Sequence, residues 1–124
     1  MPMISYVTVG TNDLPRATAF YDALLGEMGA SRFMQMDRMI IWGTKPGAPM
    51  LAVCTPFDGK AATAGNGTMV AIDAGSREMA DKLHARALAL GGTDEGAPGP
   101  RGDGFYGGYF RDLDGNKFVA CVFG

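Results

Sequence analysis

Histidine and cysteine, the side chains most often used in acid–base, nucleophilic and transition-metal chemistry, are few in this 124-residue chain. There is one histidine, His84, and there are two cysteines, Cys54 and Cys121. A histidine can act as a general base, and a cysteine can act as a nucleophile where a base or cation activates the thiolate. His84 falls in a helical pattern, so we interpret it as a surface or helix–sheet packing residue, with a catalytic base as the alternative. Because no histidine is placed to activate them, we interpret the cysteines as small apolar fillers.

Carboxylate and amide side chains recur near the end of the chain, at Asp112, Asp114 and Asn116. This spacing is partly that of a calcium loop. Such a loop needs a glycine at its sixth position and a bidentate glutamate at its twelfth, and the segment lacks both. We therefore predict a hairpin turn here.

The composition excludes several classes of partner. Hydrophobic residues make up 47% of the chain and charged residues 19%, which is typical of a globular domain. The net charge of −2 gives no electrostatic reason to expect nucleic acid or an anionic membrane. No apolar run has the length of a membrane span, the first residues do not have the pattern of a signal peptide, and two cysteines are no disulfide framework. We therefore expect a cytoplasmic protein.

Periodicity predicts the elements that must position any site. The predicted strands are Ile4–Val9, Ser31–Asp37, Met39–Gly43, Met50–Thr55, Thr68–Asp73, a short strand near Thr93, Phe105–Arg111 and Lys117–Phe123. One helix follows an Asp13 cap and ends near Gly29, and a second follows a Ser76 cap and ends at Gly91-Gly92. The segment from Gly96 to Gly104 is predicted to be a loop.

The second half of the chain repeats the pattern of the first. Placing Tyr6 on Met69 without gaps brings the cap Asp13 onto Ser76, and it brings Gly29 onto Gly92. Caps, apolar stripes and terminal glycines agree over a strand and a helix, which indicates an internal duplication. We predict a single domain of two modules, 1–56 and 68–124, joined by a linker at 57–67.

Several short motifs occur in a characteristic order. They are Asp13-Leu14, Phe20-Tyr21, Leu25-Gly26, Gly65-Asn66-Gly67 and the run from Arg111 to Lys117. Together they resemble the vicinal oxygen chelate superfamily, which includes glyoxalase I, extradiol dioxygenases, and fosfomycin- and bleomycin-resistance proteins. The resemblance covers essentially the whole chain. It implies an α+β fold in which two βαβββ modules form a curved mixed sheet, with helices on the convex side, a cup on the other side, and frequently a homodimer.

Strand alternation then predicts which side chains face the cup. Helices must cover the apolar faces that carry Val7 and Val70, so the opposite faces are left for a ligand. We expect Arg101 either to hold an anionic group or to be a solvated loop residue. We expect the aromatic residues Trp42, Tyr106 and Tyr109 either to line the cup or to pack in the core. The predicted ligand-binding residues are Tyr6, Thr8, Trp42, Ala52, Cys54, Met69, Arg101, Tyr109, Val119 and Cys121.

Enzymes of this superfamily hold a divalent metal with histidine, glutamine or glutamate from four strands. The resemblance assigns these positions to Tyr6, Ala52, Met69 and Val119. None of the four is a usual ligand of a divalent transition metal. We therefore predict no metal and no other cofactor.

These observations favour a metal-independent protein that resembles the bleomycin-resistance branch and binds a small organic molecule, as a homodimer. No acidic cup is evident for a large cationic drug, so the ligand is left unnamed. Catalysis is not favoured. The alternatives are a lyase or dioxygenase of the glyoxalase type with an atypical site, and a scaffold whose cup is vestigial.

Overall fold

The computed structural model describes residues 2–124, which form two compact units, one ending at Ala64 and the other beginning at Gly65. The first unit contains β1 (Tyr6–Gly10), α1 (Leu14–Gly26), β2 (Ser31–Gln35), β3 (Met39–Gly43) and β4 (Met50–Cys54). The second contains β5 (Val70–Asp73), α2 (Arg77–Ala89), β6 (Thr93–Pro100), β7 (Phe105–Arg111) and β8 (Lys117–Phe123). Each unit is a βαβββ module, so the predicted α+β fold is confirmed.

Each module builds one four-stranded mixed sheet. The strand orders are β1-β4-β3-β2 and β5-β8-β7-β6. The first and last strands of a module pair in parallel, β1 with β4 and β5 with β8, whereas the other pairs are antiparallel. The helix is the crossover that leaves the first strand of the module.

Both helices begin at the predicted caps. The Asp13 carboxylate accepts a hydrogen bond from the N–H of Arg16 at 3.1 Å, and the Ser76 hydroxyl accepts one from the N–H of Met79 at 3.1 Å. Each bond satisfies one of the N–H groups that a helix start leaves without an intrahelical acceptor. Neither of the two helices in residues 2–124 is long and apolar enough to cross a membrane.

The helix ends correct the register of the duplication by one residue. Gly29, with φ +83°, closes α1, and the equivalent glycine after α2 is Gly91, with φ +102°. The predicted match of Gly29 with Gly92 is therefore wrong. The turn after α2 is one residue shorter, and Gly92 instead donates its N–H to the Ala87 carbonyl at 2.9 Å.

The predicted loop from Gly96 to Gly104 is wrong in its first half. β6 continues to Pro100, with Gly96 opposite Tyr109 and Pro100 opposite Tyr106. β6 is an edge strand with two register shifts, and an edge tolerates proline and glycine that a central strand would not. The glycine and proline content of this segment therefore indicated a loop where the structure has a strand.

In the first unit α1 covers the sheet face that carries Trp42. The Tyr21 and Trp42 rings lie 5.6 Å apart, and the Trp42 indole N–H donates to the Asp22 carboxylate at 2.9 Å. Because residues paired across strands share a face, Leu51, opposite Trp42, and Val7, opposite Leu51, belong to this same face.

In the second unit α2 covers the face that carries Phe110. The His84 ring lies 6.4 Å from Phe110, and Phe110 stacks on Phe118 at 5.5 Å. Val70 pairs with Phe118 and therefore shares this face. The predicted placement of Val7 and Val70 on the helix side of their sheets agrees with this arrangement.

The segment after β4 is fastened to the first unit. The Asn12 side chain accepts a hydrogen bond from the N–H of Ala62 at 2.7 Å and donates one to its carbonyl at 3.3 Å. A Cβ atom on Gly10 would lie 2.9 Å from the Ala62 methyl group, so this close approach requires glycine. These contacts explain why the compact unit extends to Ala64.

The turn between β7 and β8 is organised by Asp112. Its buried carboxylate accepts hydrogen bonds from the N–H groups of Asp114 and Asn116 and from the Asn116 amide, each at 2.9 Å. The carboxylate therefore serves the backbone of a hairpin turn, as the sequence predicted, rather than a cation.

We expect Asp112→Ala to lower the free energy of unfolding by about 2–4 kcal/mol, because it leaves buried N–H donors without an acceptor. Asp103→Ala is the control, since Asp103 is an exposed carboxylate in the turn between β6 and β7 and its loss should cost less than about 0.5 kcal/mol. Urea denaturation of both variants measures the difference. Equal effects would contradict the structural role of Asp112.

Candidate functional site

The face of the first sheet opposite α1 is called here its helix-free face. It is built from β1, β4 and β3, in which Thr8 pairs with Ala52 and Ala52 pairs with Ile41. Tyr6 and Cys54 are on the same face by alternation. Tyr6 is 47% exposed, Thr8 is exposed, Cys54 is half-buried and Ala52 is fully buried. Four predicted site residues of this unit therefore share one surface.

The helix-free face of the second sheet is defined in the same way, opposite α2. One cross-strand row contains Ala71, Val119, Tyr109 and Gly96. Cys121 lies on this face one row further along β8. Met69 directly precedes β5 and is 43% exposed. It lies two residues before Ala71, so alternation places both on the same face. The structure thus brings together Met69, Tyr109, Val119 and Cys121, as predicted.

Trp42 is not on a helix-free face. It pairs with Leu51 and Arg32 on the α1 side of the sheet and is 1% exposed. Strand alternation through β3 requires this position, since Ile41 is the residue that faces the other way. Trp42 is therefore a core residue that links β3 to α1 through Asp22.

Arg101 reaches the second helix-free face from just beyond the end of β6. Its guanidinium carbon lies 5.6 Å from the centre of the Tyr109 ring. The Lys117 ammonium lies at the same distance, 5.6 Å, from the same ring. Lys117 was missed at the sequence level, although alternation along β8 places it on one face with Val119 and Cys121.

The centre of this face is packed by its own side chains. A Cβ atom on Gly107 would lie 2.8 Å from a methyl group of Val119 and 3.1 Å from the Phe105 ring. Val119 is fully buried. The exposed residues of this face are thus at its two sides, Met69 and Ala71 on one and Arg101 on the other.

The donor set does not fit a divalent metal. A phenol, a methyl group, a thioether and an isopropyl group occupy the positions that the resemblance assigns to ligands, and divalent transition metals prefer imidazole, carboxylate or thiolate. Within residues 2–124, no three His, Cys, Asp or Glu side chains are grouped in a way that could hold a metal ion.

The two cysteines are free and differ in accessibility. Cys54 is half-buried, whereas Cys121 is 3% exposed and its thiol lies 3.5 Å from the Ile72 carbonyl oxygen. Burial, together with the nearby Asp73 carboxylate, raises the pKa of the Cys121 thiol. Both effects disfavour the thiolate, so Cys121 is poorly suited to be a nucleophile.

His84 packs between α2 and the sheet, in agreement with the first of its two interpretations. Its Nε2 atom lies 3.1 Å from the Asp94 carboxylate and 3.2 Å from the Tyr109 carbonyl oxygen. Both neighbours are acceptors, so we assign the proton to Nε2. The hydrogen bond from the Gly96 N–H, and then the one from His84, lower the pKa of the Asp94 carboxyl group. His84 thereby positions β6 and β7.

A groove of about 540 Å³ lies on the other side of the first sheet, beside α1. Its wall includes Asp22 and Arg32, whose side chains form an ion pair with a second hydrogen bond at 3.0 Å. The Arg32 guanidinium that donates to Asp22 holds the pKa of this carboxyl group below its ordinary value. None of the ten predicted site residues lines this groove.

Comparison with known proteins gives a consistent assignment. The profile of the Glyoxalase/Bleomycin resistance protein/Dioxygenase superfamily matches residues 3–120. A glyoxalase/bleomycin resistance protein from Albidiferax ferrireducens T118 is 39% identical, with 98% of each chain covered and a TM-score of 0.89. A glyoxalase/bleomycin resistance protein/dioxygenase family enzyme from Burkholderia phytofirmans PsJN is 22% identical, with 96% of this chain and 97% of the other covered and a TM-score of 0.77, which shows the shared fold. A search of curated proteins gave no match.

The difference between the thiols is testable with single-cysteine variants. We expect Cys54→Ser, which retains only Cys121, to react with a disulfide reagent at pH 8 at least about tenfold more slowly than Cys121→Ser. The physical reason is the burial and raised pKa of Cys121. The two variants should react equally fast in denaturant, which is the control. A native Cys121 that reacts as fast as Cys54 would contradict this description of the face.

Proposed function

Because the chain belongs to the Glyoxalase/Bleomycin resistance protein/Dioxygenase superfamily, we propose that it binds a small organic molecule without the help of a metal ion. The observation that carries the proposal is the identity of four residues, Tyr6, Ala52, Met69 and Val119, at the positions that the resemblance assigns to metal ligands. Their side chains offer apolar surface and one phenol instead of a donor set.

Exposure of large side chains on the helix-free faces supports this proposal. Tyr6 is 47% exposed on the face of the first unit, and Met69 is 43% exposed at the edge of the face of the second unit. Exposed apolar and aromatic side chains on the face of a sheet are typical of surfaces that contact a ligand or partner. A flexible methionine can adapt to an organic molecule, and a phenol can donate one orienting hydrogen bond.

We propose binding rather than catalysis for a chemical reason. Lyases and dioxygenases of the glyoxalase type use an electrophilic metal to stabilise an enediolate or to activate dioxygen. The four residues at those positions cannot hold such a metal with ordinary ligands. The buried Cys121 and the hydrogen-bonded His84 do not offer a nucleophile and base in its place.

A scaffold role with a closed surface is the second candidate, and one observation favours it. Val119 and Phe105 occupy the space above Gly107, so the middle of the second helix-free face has no room for a ligand. The two candidates differ in whether small molecules bind at the two sides of that face. The binding proposal expects that they do, and the scaffold expects that they do not.

We also propose that the protein is a homodimer. β2 lies at a sheet edge, is exposed along its length, and carries Phe33, which is 63% exposed at the bulge of the strand. An edge strand with exposed apolar side chains offers unpaired backbone groups that a second copy can cover. A cytoplasmic location and the absence of nucleic-acid or membrane partners remain part of the proposal, supported by the free cysteines and the net charge of −2.

The ligand proposal is tested by Met69→Trp. If the edge of the second face is open, the indole should change the free energy of unfolding by less than about 0.5 kcal/mol and should abolish the binding of aromatic fragments that stabilise the wild type. Thermal-shift screening and urea denaturation measure the two effects. Met36→Trp is the matched control, because Met36 is 45% exposed in the turn between β2 and β3.

Two outcomes would contradict the proposal. A stability loss of about 1–3 kcal/mol in Met69→Trp, with no fragment stabilising the wild type, would favour the scaffold. One equivalent of transition metal in the purified protein, measured by elemental analysis, would exclude metal-independent binding.

The assembly proposal has a separate test. We expect light scattering at micromolar concentration to give twice the mass of one chain, and Phe33→Lys to weaken association at least about tenfold, since it places a charge on an apolar edge. Phe57→Lys is the control, because Phe57 is also exposed but lies after β4. A monomeric wild type would refute the dimer.

A further inference from the structure

Two cations converge on one aromatic ring in the second unit. Arg101 and Lys117 each lie 5.6 Å from the centre of the Tyr109 ring. At this distance a cation is attracted to the ring face. Arg101 approaches Tyr109 from the side of β6, and Lys117 approaches it from β8 on the other side of β7. We refer to these three residues as the cation–tyrosine cluster.

The Arg101 side chain lies over two glycines of β6, and Gly96 is the one that it approaches closely. Its guanidinium folds back along β6 and donates to the Ala97 carbonyl oxygen. A Cβ atom at Gly96 would lie 3.3 Å from one guanidinium nitrogen, and a Cβ atom at Gly99 would lie 3.5 Å from the other. Gly96 also has φ +151°, which other residues rarely adopt. The guanidinium therefore lies against the backbone at Gly96 and Gly99, next to the Tyr109 ring.

The charges of the cluster are not compensated by the protein. Arg111, opposite Lys117 on the neighbouring strand, has Glu95 at 3.3 Å and donates to the Gly115 carbonyl. In contrast, no carboxylate in residues 2–124 forms an ion pair with Arg101 or Lys117. Lys117 is half-buried as a residue and forms no ion pair within residues 2–124.

The surroundings of the cluster are apolar on the side of β5. Tyr109 pairs with the buried Val119, which pairs in turn with the exposed Ala71, and Met69 lies beyond. Inorganic phosphate would leave oxygens without polar partners against this surface. A carboxylate on a carbon skeleton suits it better, because the anion and the apolar part meet different surroundings.

From these observations we propose that the cation–tyrosine cluster binds the carboxylate of an aromatic acid or a similarly apolar organic acid. The inference rests on the proposed function and specifies its ligand class. The guanidinium can donate two parallel hydrogen bonds to a carboxylate, and the ammonium adds a point charge.

The test uses the full chain labelled with nitrogen-15 and two probes of the same shape, benzoate and benzamide. At fixed ionic strength we expect benzoate to shift the amide resonances of Gly96, Arg101 and Tyr109, with a dissociation constant at least about tenfold lower than that of neutral benzamide. Arg101→Gln and Lys117→Gln should each weaken benzoate binding at least about tenfold and leave benzamide binding unchanged.

Arg38→Gln is the matched control. Arg38 also lies over an aromatic ring, at 5.3 Å from the centre of Phe57, and also donates to a backbone carbonyl, that of Thr55. It is in the first unit and has one cation on its ring, so its loss should not change benzoate binding.

The outcomes separate this inference from the proposed function. Equal binding of benzoate and benzamide, phosphate binding as tight as benzoate binding, or a loss in Arg38→Gln equal to that in Arg101→Gln would each overturn the carboxylate site. If neutral fragments still bind and Met69→Trp abolishes their binding, the proposed function stands without it. If no small molecule binds at all, both fail. The comparison of the two probes on wild type needs no variant, so a variant that does not fold leaves the inference testable.

Discussion

Each module has one helix and a sheet with two faces, and the helix can cover one of them. In the first unit the Asp22 carboxylate connects α1 to Trp42 on β3 and to Arg32 on β2, and this fixes which face is covered. In the second unit His84 has the corresponding role through Asp94. Outside the register shifts of β2 and β6, alternation then assigns each strand residue to the helix side or to the other side. The candidate site consists of the side chains on the two helix-free faces.

The sequence determined much of this arrangement because its signals are local. Asp13 and Ser76 cap helices, and alternation through β1, β4 and β8 places Tyr6, Ala52 and Val119 opposite the helices, as predicted. The predicted role of Trp42 as a ligand-binding residue is wrong and its alternative, a core position, holds, because in β3 it is Ile41 that faces away from α1.

Other features depend on contacts that no single segment reveals. β6 is a strand because β7 lies beside it, although its own composition is that of a loop. The importance of Lys117 becomes visible once Arg101 folds back over Gly96 and both cations meet at Tyr109. Position in sequence gives no sign of this, because the three residues come from a strand end, a strand centre and a strand start.

The parallel pairing of the first strand with the last in each module has a consequence for how the chain acquires its structure. β1 cannot find its neighbour until β4 has been made, and β5 must likewise wait for β8. Within a module the sheet is therefore completed late, at the cost of closing a long loop. Between modules the order is favourable. A nascent chain contains every strand of the first sheet before it contains any strand of the second, so translation offers the two duplicated halves separate occasions to fold and reduces the opportunity for strands of one half to pair with their equivalents in the other.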